Sequence, residues 1–158
     1  MQDLSWYGRL EGIFITAAQS MPMRELARAK LIEGVGLDGD RYATGKGKYS
    51  IRPSEDRQVT LIEMETIEAI RRDHDIALLP AETRRNLVTR GVPLNHLVGR
   101  SFCVGEAVLF GCRLNVPCKY LEGLLGKAVY TPLLNRSGLN CRIVRGGEIC
   151  ATDTIRPA

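Results

Sequence analysis

Cys118 stands in the run Arg113-Leu114-Asn115-Val116-Pro117-Cys118-Lys119-Tyr120-Leu121-Glu122. A cysteine directly after a proline, where an apolar run gives way to a helix-like segment, is placed to expose its sulfur. Proline fixes its own backbone and drives the residue before it toward an extended conformation. A helix starting here would aim N–H groups at the thiol and favour the thiolate, the form that is both nucleophile and metal ligand. A second group of reactive character lies upstream in Thr83-Arg84-Arg85-Asn86-Leu87-Val88-Thr89-Arg90-Gly91. Read as a strand, this segment alternates its side chains, so Arg84 and Asn86 are expected on one face and Arg85 on the other. Guanidinium forks suit bidentate phosphate contact, and an asparagine offers both donor and acceptor. Thr89 and Arg90 would extend the polar lining. The same residues would equally serve as a solvated strand edge. A third candidate is Gly36-Leu37-Asp38-Gly39-Asp40-Arg41. Either its aspartates bond their own backbone in a tight turn, or Asp40 and Arg41 line the same pocket as Cys118. It has neither the acidic ladder of an EF-hand nor a phosphate-binding P-loop.

Other chemistry is poorly supported. The five cysteines include no CxxC pair and are odd in number, which argues against a disulfide framework and a zinc ribbon. Cys103, Cys112, Cys141 and Cys150 fall inside strand-like runs and read as small apolar residues. His74 closes a helical segment, solvated or capping, and His96 follows in a short connection; neither has a partner at zinc spacing. A Cys118–His96 hydrolase pair lacks any local nucleophile signature. No lysine stands in a context that suggests an aldimine; Lys119, the only tempting one, reads better as tuning the charge of the neighbouring thiol.

These groups must be positioned by a chain of 158 residues and 17.5 kDa, enough for one domain over residues 1–158 with a single core. A formal net charge of +4, with 18 acidic residues interspersed among 22 basic ones, lacks the concentrated basic stripe of a nucleic-acid binder. A small anionic ligand is the better partner. No secretory signal pattern or membrane-spanning run is visible, so a cytoplasmic protein with reduced thiols is expected.

Strands are predicted at Tyr7 to Ala18, Ala29 to Gly36, Gln58 to Ile62 and Arg84 to Val88. Phe102 to Leu114 should hold a pair of strands broken near Gly105 or Gly111. A closing hairpin of Leu139 to Arg145 and Glu148 to Ile155 is expected around Gly146-Gly147. Ser20 to Lys30 reads as a loop, and Tyr42 to Glu55 as a mobile surface loop. Glu63 to Asp75 is the clearest helix; shorter helical pieces are expected at Leu94 to Val98 and after Cys118. Many short strands with few helices point to a mainly β fold with short helices (α+β), a closed or partly closed antiparallel barrel rather than a doubly wound sheet.

Taken in order, Gly39-Asp40-Arg41, Asp56-Arg57-Gln58-Val59-Thr60-Leu61-Ile62, Arg84 through Gly91, Leu97-Val98-Gly99 and Phe102-Cys103-Val104-Gly105 closely resemble a MOSC domain. That family is named for the C-terminal domain of eukaryotic molybdenum cofactor sulfurase. Pro117-Cys118 is similar to its signature cysteine, and Asn135-Arg136-Ser137-Gly138-Leu139 through Gly146-Gly147-Glu148-Ile149 to its closing segment, so the likeness spans about Arg9 to Ile155. The resemblance implies a β-barrel of the pyruvate-kinase barrel-like type with a pocket around the cysteine. It implies that Cys118 is either a ligand of molybdenum in the molybdenum cofactor (molybdopterin), or a persulfide-bearing sulfur carrier. Arg84 and Asn86 would lie at the pterin phosphate, with Arg85, Thr89, Arg41 and Asp40 nearby. The activity implied first is reduction of N-hydroxylated substrates by a molybdenum-dependent oxidoreductase. A sulfurtransferase supplied by a cysteine desulfurase is the alternative, with pyridoxal phosphate on that partner rather than on this chain. A non-catalytic cofactor-binding module is the third reading. The sequence has neither the extra N-terminal barrel nor the C-terminal ferredoxin of larger members, so a separate electron-donor protein is expected. It also carries Ala151-Thr152-Asp153 where the family's closing hairpin commonly has Gly-Asp, which puts the geometry of that turn in question.

Overall fold

The computed structural model describes residues 5–48 and 55–158. Its frame is a ring of seven strands: β1 (Gly8–Ile15), β5 (Val59–Glu63), β6 (Leu87–Arg90), β7 (Ser101–Val104), β8 (Ala107–Leu114), β9 (Leu139–Arg145) and β11 (Thr154–Pro157). They pair in the order β1, β6, β5, β9, β8, β7, β11 and back to β1, so the barrel closes. Strand β2 (Arg24–Leu26) adds to the far end of β1. A small second sheet joins β3 (Arg28–Ile32), β4 (Gly36–Leu37) and β10 (Gly147–Cys150). The helices are α1 (Arg41–Thr44), α2 (Met64–His74) and α3 (Lys119–Leu125).

Period-two alternation builds two cores from the same strands. Ile13, Leu61 and Leu87 point into the barrel with Leu10, Phe102, Leu109 and Leu139. Their neighbours Phe14, Ile62 and Val88 point outward, where Ile67 and Ile70 of α2 and Leu121 of α3 cover them. The barrel is antiparallel except at β5–β6, which are parallel. Parallel neighbours need a crossover, and α2 supplies it.

Three expectations are corrected. Ser20 to Lys30 is not all loop, because Arg24–Leu26 pairs with β1 and Arg28 begins β3. Gly146-Gly147 does not make a hairpin. The chain leaves β9 there and passes to the small sheet, where Gly147–Cys150 pairs with Arg28–Leu31. A Cβ on Gly146 would lie 2.5 Å from the Leu31 carbonyl oxygen, so glycine serves a close crossing of backbones rather than a tight turn. Residues 84–86 are not strand; β6 begins only at Leu87. Of the expected Tyr42 to Glu55 loop, Tyr42–Thr44 belongs to a one-turn helix, and residues 49–54 lie outside the described residues. The break in Phe102 to Leu114 falls at Gly105, in the left-handed region at φ 54°.

The Ala151-Thr152-Asp153 turn does form. Asp153 accepts the Cys150 N–H through Oδ2 at 2.8 Å and donates its own N–H to the Cys150 carbonyl at 3.0 Å. It forces Thr152 to φ 79°, a region that penalises a β-branched residue. Thr152→Gly is therefore expected to stabilise the fold by roughly 1 kcal/mol, seen as a higher urea midpoint at unchanged slope. Glu63, at the β5–α2 junction, gives a second test. Burial and then the charge of Glu65 push its carboxyl up to about 7, against the opposing Leu94 amide. Between the ordinary 4.5 and about 7 the folded chain holds a proton that the unfolded chain has released. Stability therefore falls as pH rises through that window. Glu63→Gln should flatten this dependence and raise stability at pH 8 by roughly 1–2 kcal/mol, since partial exposure screens the effect. Unfolding curves from pH 4 to 8 measure it.

Candidate functional site

Proline 80 starts the local structure that sets the site. It opens a 3-10 turn over Pro80–Thr83, capped by Glu82 accepting the Leu79 N–H at 2.8 Å. The Thr83 hydroxyl donates to the Pro80 carbonyl at 2.8 Å and accepts the Arg85 N–H at 3.3 Å. The turn ends with Arg84 in the left-handed region at φ 61°. Strand alternation thus does not apply to Arg84 and Arg85, and both reach one cleft.

That cleft is a cavity of about 270 Å³. Arg41, Arg57, Arg84, Arg85 and Arg113 line it with Tyr42, Thr60, Asn115, Asn140 and the Val116-Pro117-Cys118 edge. Five guanidinium groups border the cleft with one thiol, and among the described residues no carboxylate lines the walls. A smaller recess continues from it past Cys118 to Gln19, Lys48, Tyr120 and Leu121. Lys48 stands 5.3 Å from the centre of the Tyr120 ring.

Each arginine is held differently. Arg41 is 4% exposed and donates from Nη2 to the Arg84 carbonyl at 3.0 Å and from Nη1 to Asp40 at 3.2 Å, while stacking 4.4 Å over the Tyr42 ring. Arg84, 7% exposed, donates from Nη1 to the Met21 carbonyl at 2.7 Å. Its Nη2 is buried with no hydrogen-bond partner among the described residues. Burial, and then the Arg41 charge, pull the Arg84 guanidinium below its ordinary value. Arg85 is tied to the Ser137 carbonyl and hydroxyl at 3.0 and 2.9 Å and to the Thr83 carbonyl at 3.1 Å, and it also donates to Asn115 Oδ1. Arg113 pairs with Asp56.

Cys118 is half-buried at the N-terminal boundary of α3, its backbone extended at φ −134°. The expected contact with helix N–H groups is not made: the sulfur accepts no capping hydrogen bond. The side chain instead packs against the outer apolar cluster and borders the cleft. Lys119 turns away to Glu122, 3.4 Å from its carboxylate, and stacks 4.6 Å from the Tyr130 ring, so it does not line the site.

Asn86 and Thr89 are not in the cleft. Asn86 is fully buried, accepting from Thr60 N–H at 3.1 Å and Thr60 Oγ1 at 3.2 Å and donating from Nδ2 to the Phe14 carbonyl at 3.2 Å. It braces β1, β5 and β6 behind the Thr60 wall. Thr89 is buried on the Ile62 carbonyl. Asp40 is fully buried too, accepting from Thr16 N–H at 3.2 Å and Tyr42 N–H at 3.3 Å as it caps α1 and orients Arg41. Both readings of that turn therefore meet in it: the aspartate bonds backbone and its neighbour lines the cavity. Arg90 lies elsewhere, paired with Glu11 and Glu68. His74 and His96 are exposed and neither lines the cleft. Cys103 and Cys141 are buried, whereas Cys112 and Cys150 are only partly so.

Arg57, Arg113 and Asn115 were not among the residues expected to line the site. Arg113 and Asn115 stand two apart next to Pro117-Cys118, the spacing of a shared strand face, although β8 itself ends at Leu114. Arg57 carries no comparable signal, since only the barrel closure brings the turn Glu55–Arg57 beside β8 and β9.

A MOSC domain family model matches residues 48–156, and the chain belongs to that family. No curated protein matches the sequence significantly. Among solved structures, the YuaD protein from Bacillus subtilis superposes with a TM-score of 0.79 at 20% identity, over 96% of this chain and 97% of that one. YiiM from Geobacillus stearothermophilus gives 0.74 at 11% identity, over 96% and 75%. YiiM from Escherichia coli gives 0.68 at 19% identity, over 95% and 69%. These likenesses establish the fold, a mainly β closed barrel with few short helices. No helix of the described residues is long and apolar enough to cross a membrane.

The bracing role of Asn86 is testable. Asn86→Ala leaves the Thr60 amide and Phe14 carbonyl unpartnered in the interior and is expected to cost roughly 3 kcal/mol. Thermal unfolding should show a Tm lowered by several degrees.

Proposed function

We propose that the cleft binds the molybdenum cofactor, with Cys118 as a ligand of the metal, and that the loaded protein reduces N-hydroxylated substrates. The observation that carries this reading is one cavity lined by five arginines and one thiol, with no carboxylate among the described residues of its walls. An anion is what such a wall accepts, and phosphate is the group whose oxygens match the arginine fork. The orphaned Nη2 of Arg84 adds a specific donor: a phosphate oxygen beside it would supply the missing acceptor. A lone thiolate suits a soft transition metal that brings further ligands of its own. Among the described residues no group of three or more His, Cys, Asp or Glu converges as a protein-built metal cage. The residues present thus fit a phosphate-bearing metal cofactor.

When bound, the cofactor supplies two-electron redox chemistry. The chain's own residues hold and screen it. Arg84, Arg57 and Arg113 neutralise the phosphate, Arg85 fixes the segment at Asn115 that leads to Pro117-Cys118, and Cys118 presents its sulfur. Cleaving an N–O bond consumes two electrons and two protons and yields the amine-type product and water. The electrons come from a separate donor protein. The sulfur-carrier alternative needs the thiol but gives no role to a wall of arginines. A cofactor-binding module without turnover shares the same site.

Protein expressed in cells that make the cofactor should carry about one molybdenum per chain by elemental analysis. Cys118→Ser and Arg84→Ala are each expected to lower that content at least tenfold. Molybdenum unchanged in Cys118→Ser overturns the ligation. A wild-type protein free of molybdenum that gains one reducible sulfur from a cysteine desulfurase would establish the carrier instead.

A further inference from the structure

Lys48 has no place in the cleft itself, yet it stands at the recess that leads from the cleft past Cys118. That recess measures about 40 Å³, and its walls include Arg41, Lys48, Arg84, Arg85, Tyr120 and Cys118, with no carboxylate among the described residues. Cys118, Arg41, Arg84 and Arg85 line both spaces, so recess and cleft meet at the thiol. Arg57 and Arg113 line the cleft and not the recess, whereas Lys48 and Tyr120 line the recess and not the cleft. The sulfur thus borders two cationic groups, one toward Arg57 and Arg113 and one toward Lys48.

Lys48 is held where it stands. Its ammonium lies 5.3 Å from the centre of the Tyr120 ring, a cation–π contact, and the Tyr120 hydroxyl is fixed 2.7 Å from Ser20 Oγ. The Gln19 N–H donates to the Lys46 carbonyl at 3.0 Å, which docks the loop carrying Ser20 beside the segment carrying Lys48. The arginines of the recess are already engaged: Arg41 by Asp40 and the Arg84 carbonyl, and Arg85 by Ser137, Thr83 and Asn115. Arg84 bonds the Met21 carbonyl, and its Nη2 is the donor assigned above to phosphate. Lys48 makes no hydrogen bond or ion pair among the described residues.

We infer that the recess is a second anion subsite, the mouth by which substrate reaches the group held at Cys118, and that Lys48 selects substrates bearing a carboxylate. The inference rests on the cofactor reading for what the sulfur holds, while the charge selection at the thiol stands without it. Size favours a carboxylate: about 10–15 Å³ admits one water, so about 40 Å³ takes the three heavy atoms of a carboxylate. Phosphate, with five, is left to the larger cleft. A lysine ammonium is a point charge on a flexible stem, able to meet a carboxylate from many directions. Because Lys48 is exposed, its attraction is screened by salt.

Alkylation of the cofactor-free protein reads this selection, because iodoacetate and iodoacetamide meet the same thiolate, lose iodide alike and differ in charge. Followed on the Cys118 peptide by mass spectrometry, the iodoacetate-to-iodoacetamide rate ratio should exceed that of 2-mercaptoethanol roughly fivefold at low ionic strength, and fall toward it in about 0.5 M KCl. Lys48→Gln should remove most of that excess and leave the iodoacetamide rate as in the parent, whereas Arg57→Gln should keep at least half of it. Molybdenum content separates the subsite from the cofactor reading, since Lys48→Gln should load as the parent does. A parent that shows the charge preference but carries no molybdenum sinks the cofactor reading and keeps the subsite. The subsite is overturned by a ratio equal to that of the free thiol or by an equal loss in Arg57→Gln and Lys48→Gln. A Lys48→Gln protein that loses molybdenum tenfold would place Lys48 in the phosphate grip and overturn it too.

Discussion

Holding like charges together out of water is the constraint on which this molecule rests. Arg41 and Arg84 are both more than nine-tenths buried and repel one another. Burying unpaired cations is costly, and the usual remedy is a carboxylate for each. Here one carboxylate, Asp40, serves Arg41, and neutral acceptors serve Arg84 and Arg85: Met21 O for Arg84, and Thr83 O, Ser137 O and Oγ and Asn115 Oδ1 for Arg85, with Arg84 O a second acceptor for Arg41. Carbonyl dipoles satisfy donors without cancelling charge. The cleft therefore keeps a positive field in a poorly solvated place, where a bound anion gains more than it would at the surface.

That arrangement ties the site to parts of the chain far from it in sequence. The Met21 carbonyl belongs to the loop after β1, Ser137 to the approach to β9, and Asn115 to the exit from β8. Arg85 joins the last two, with Ser137 Oγ also bonded to Asn115 at 3.1 Å and Asn115 Nδ2 to Asn140 at 2.9 Å. Since Asn115 stands three residues before Cys118, the position of the thiol is fixed by this network more than by α3. The helix contributes a boundary and an apolar anchor at Leu121, and its N–H groups do not reach the sulfur.

The cleft depends on one strained feature, the left-handed Arg84. A non-glycine residue there is a cost borne by the fold. It turns two successive arginines toward one cavity, which extended backbone would send to opposite faces. Pro80, Glu82 and Thr83 impose it locally, and Asn86 locks the chain back into sheet immediately afterwards.

The mainly β character, the α2 helix and the strand-to-helix boundary at Pro117-Cys118 were legible in the sequence because each is set by local pattern: alternation, helical spacing and proline sterics. Arg41, Arg84 and Arg85 stood out by residue type, and the structure brings all three to one cleft. Asn86 and Thr89 were misplaced, since type and proximity look alike whether a polar side chain lines a cavity or braces strands behind it. The supposed Gly146-Gly147 hairpin failed for a related reason, as glycine permits a turn and a close backbone crossing equally well. Only the tertiary pairing decided between these options: the small sheet brings Leu31 against Gly146, while the barrel brings Thr60 against Asn86 and the turn carrying Arg57 beside Arg113. Which groups share a cavity depends on strand partners separated by dozens of residues, and no local preference encodes that pairing.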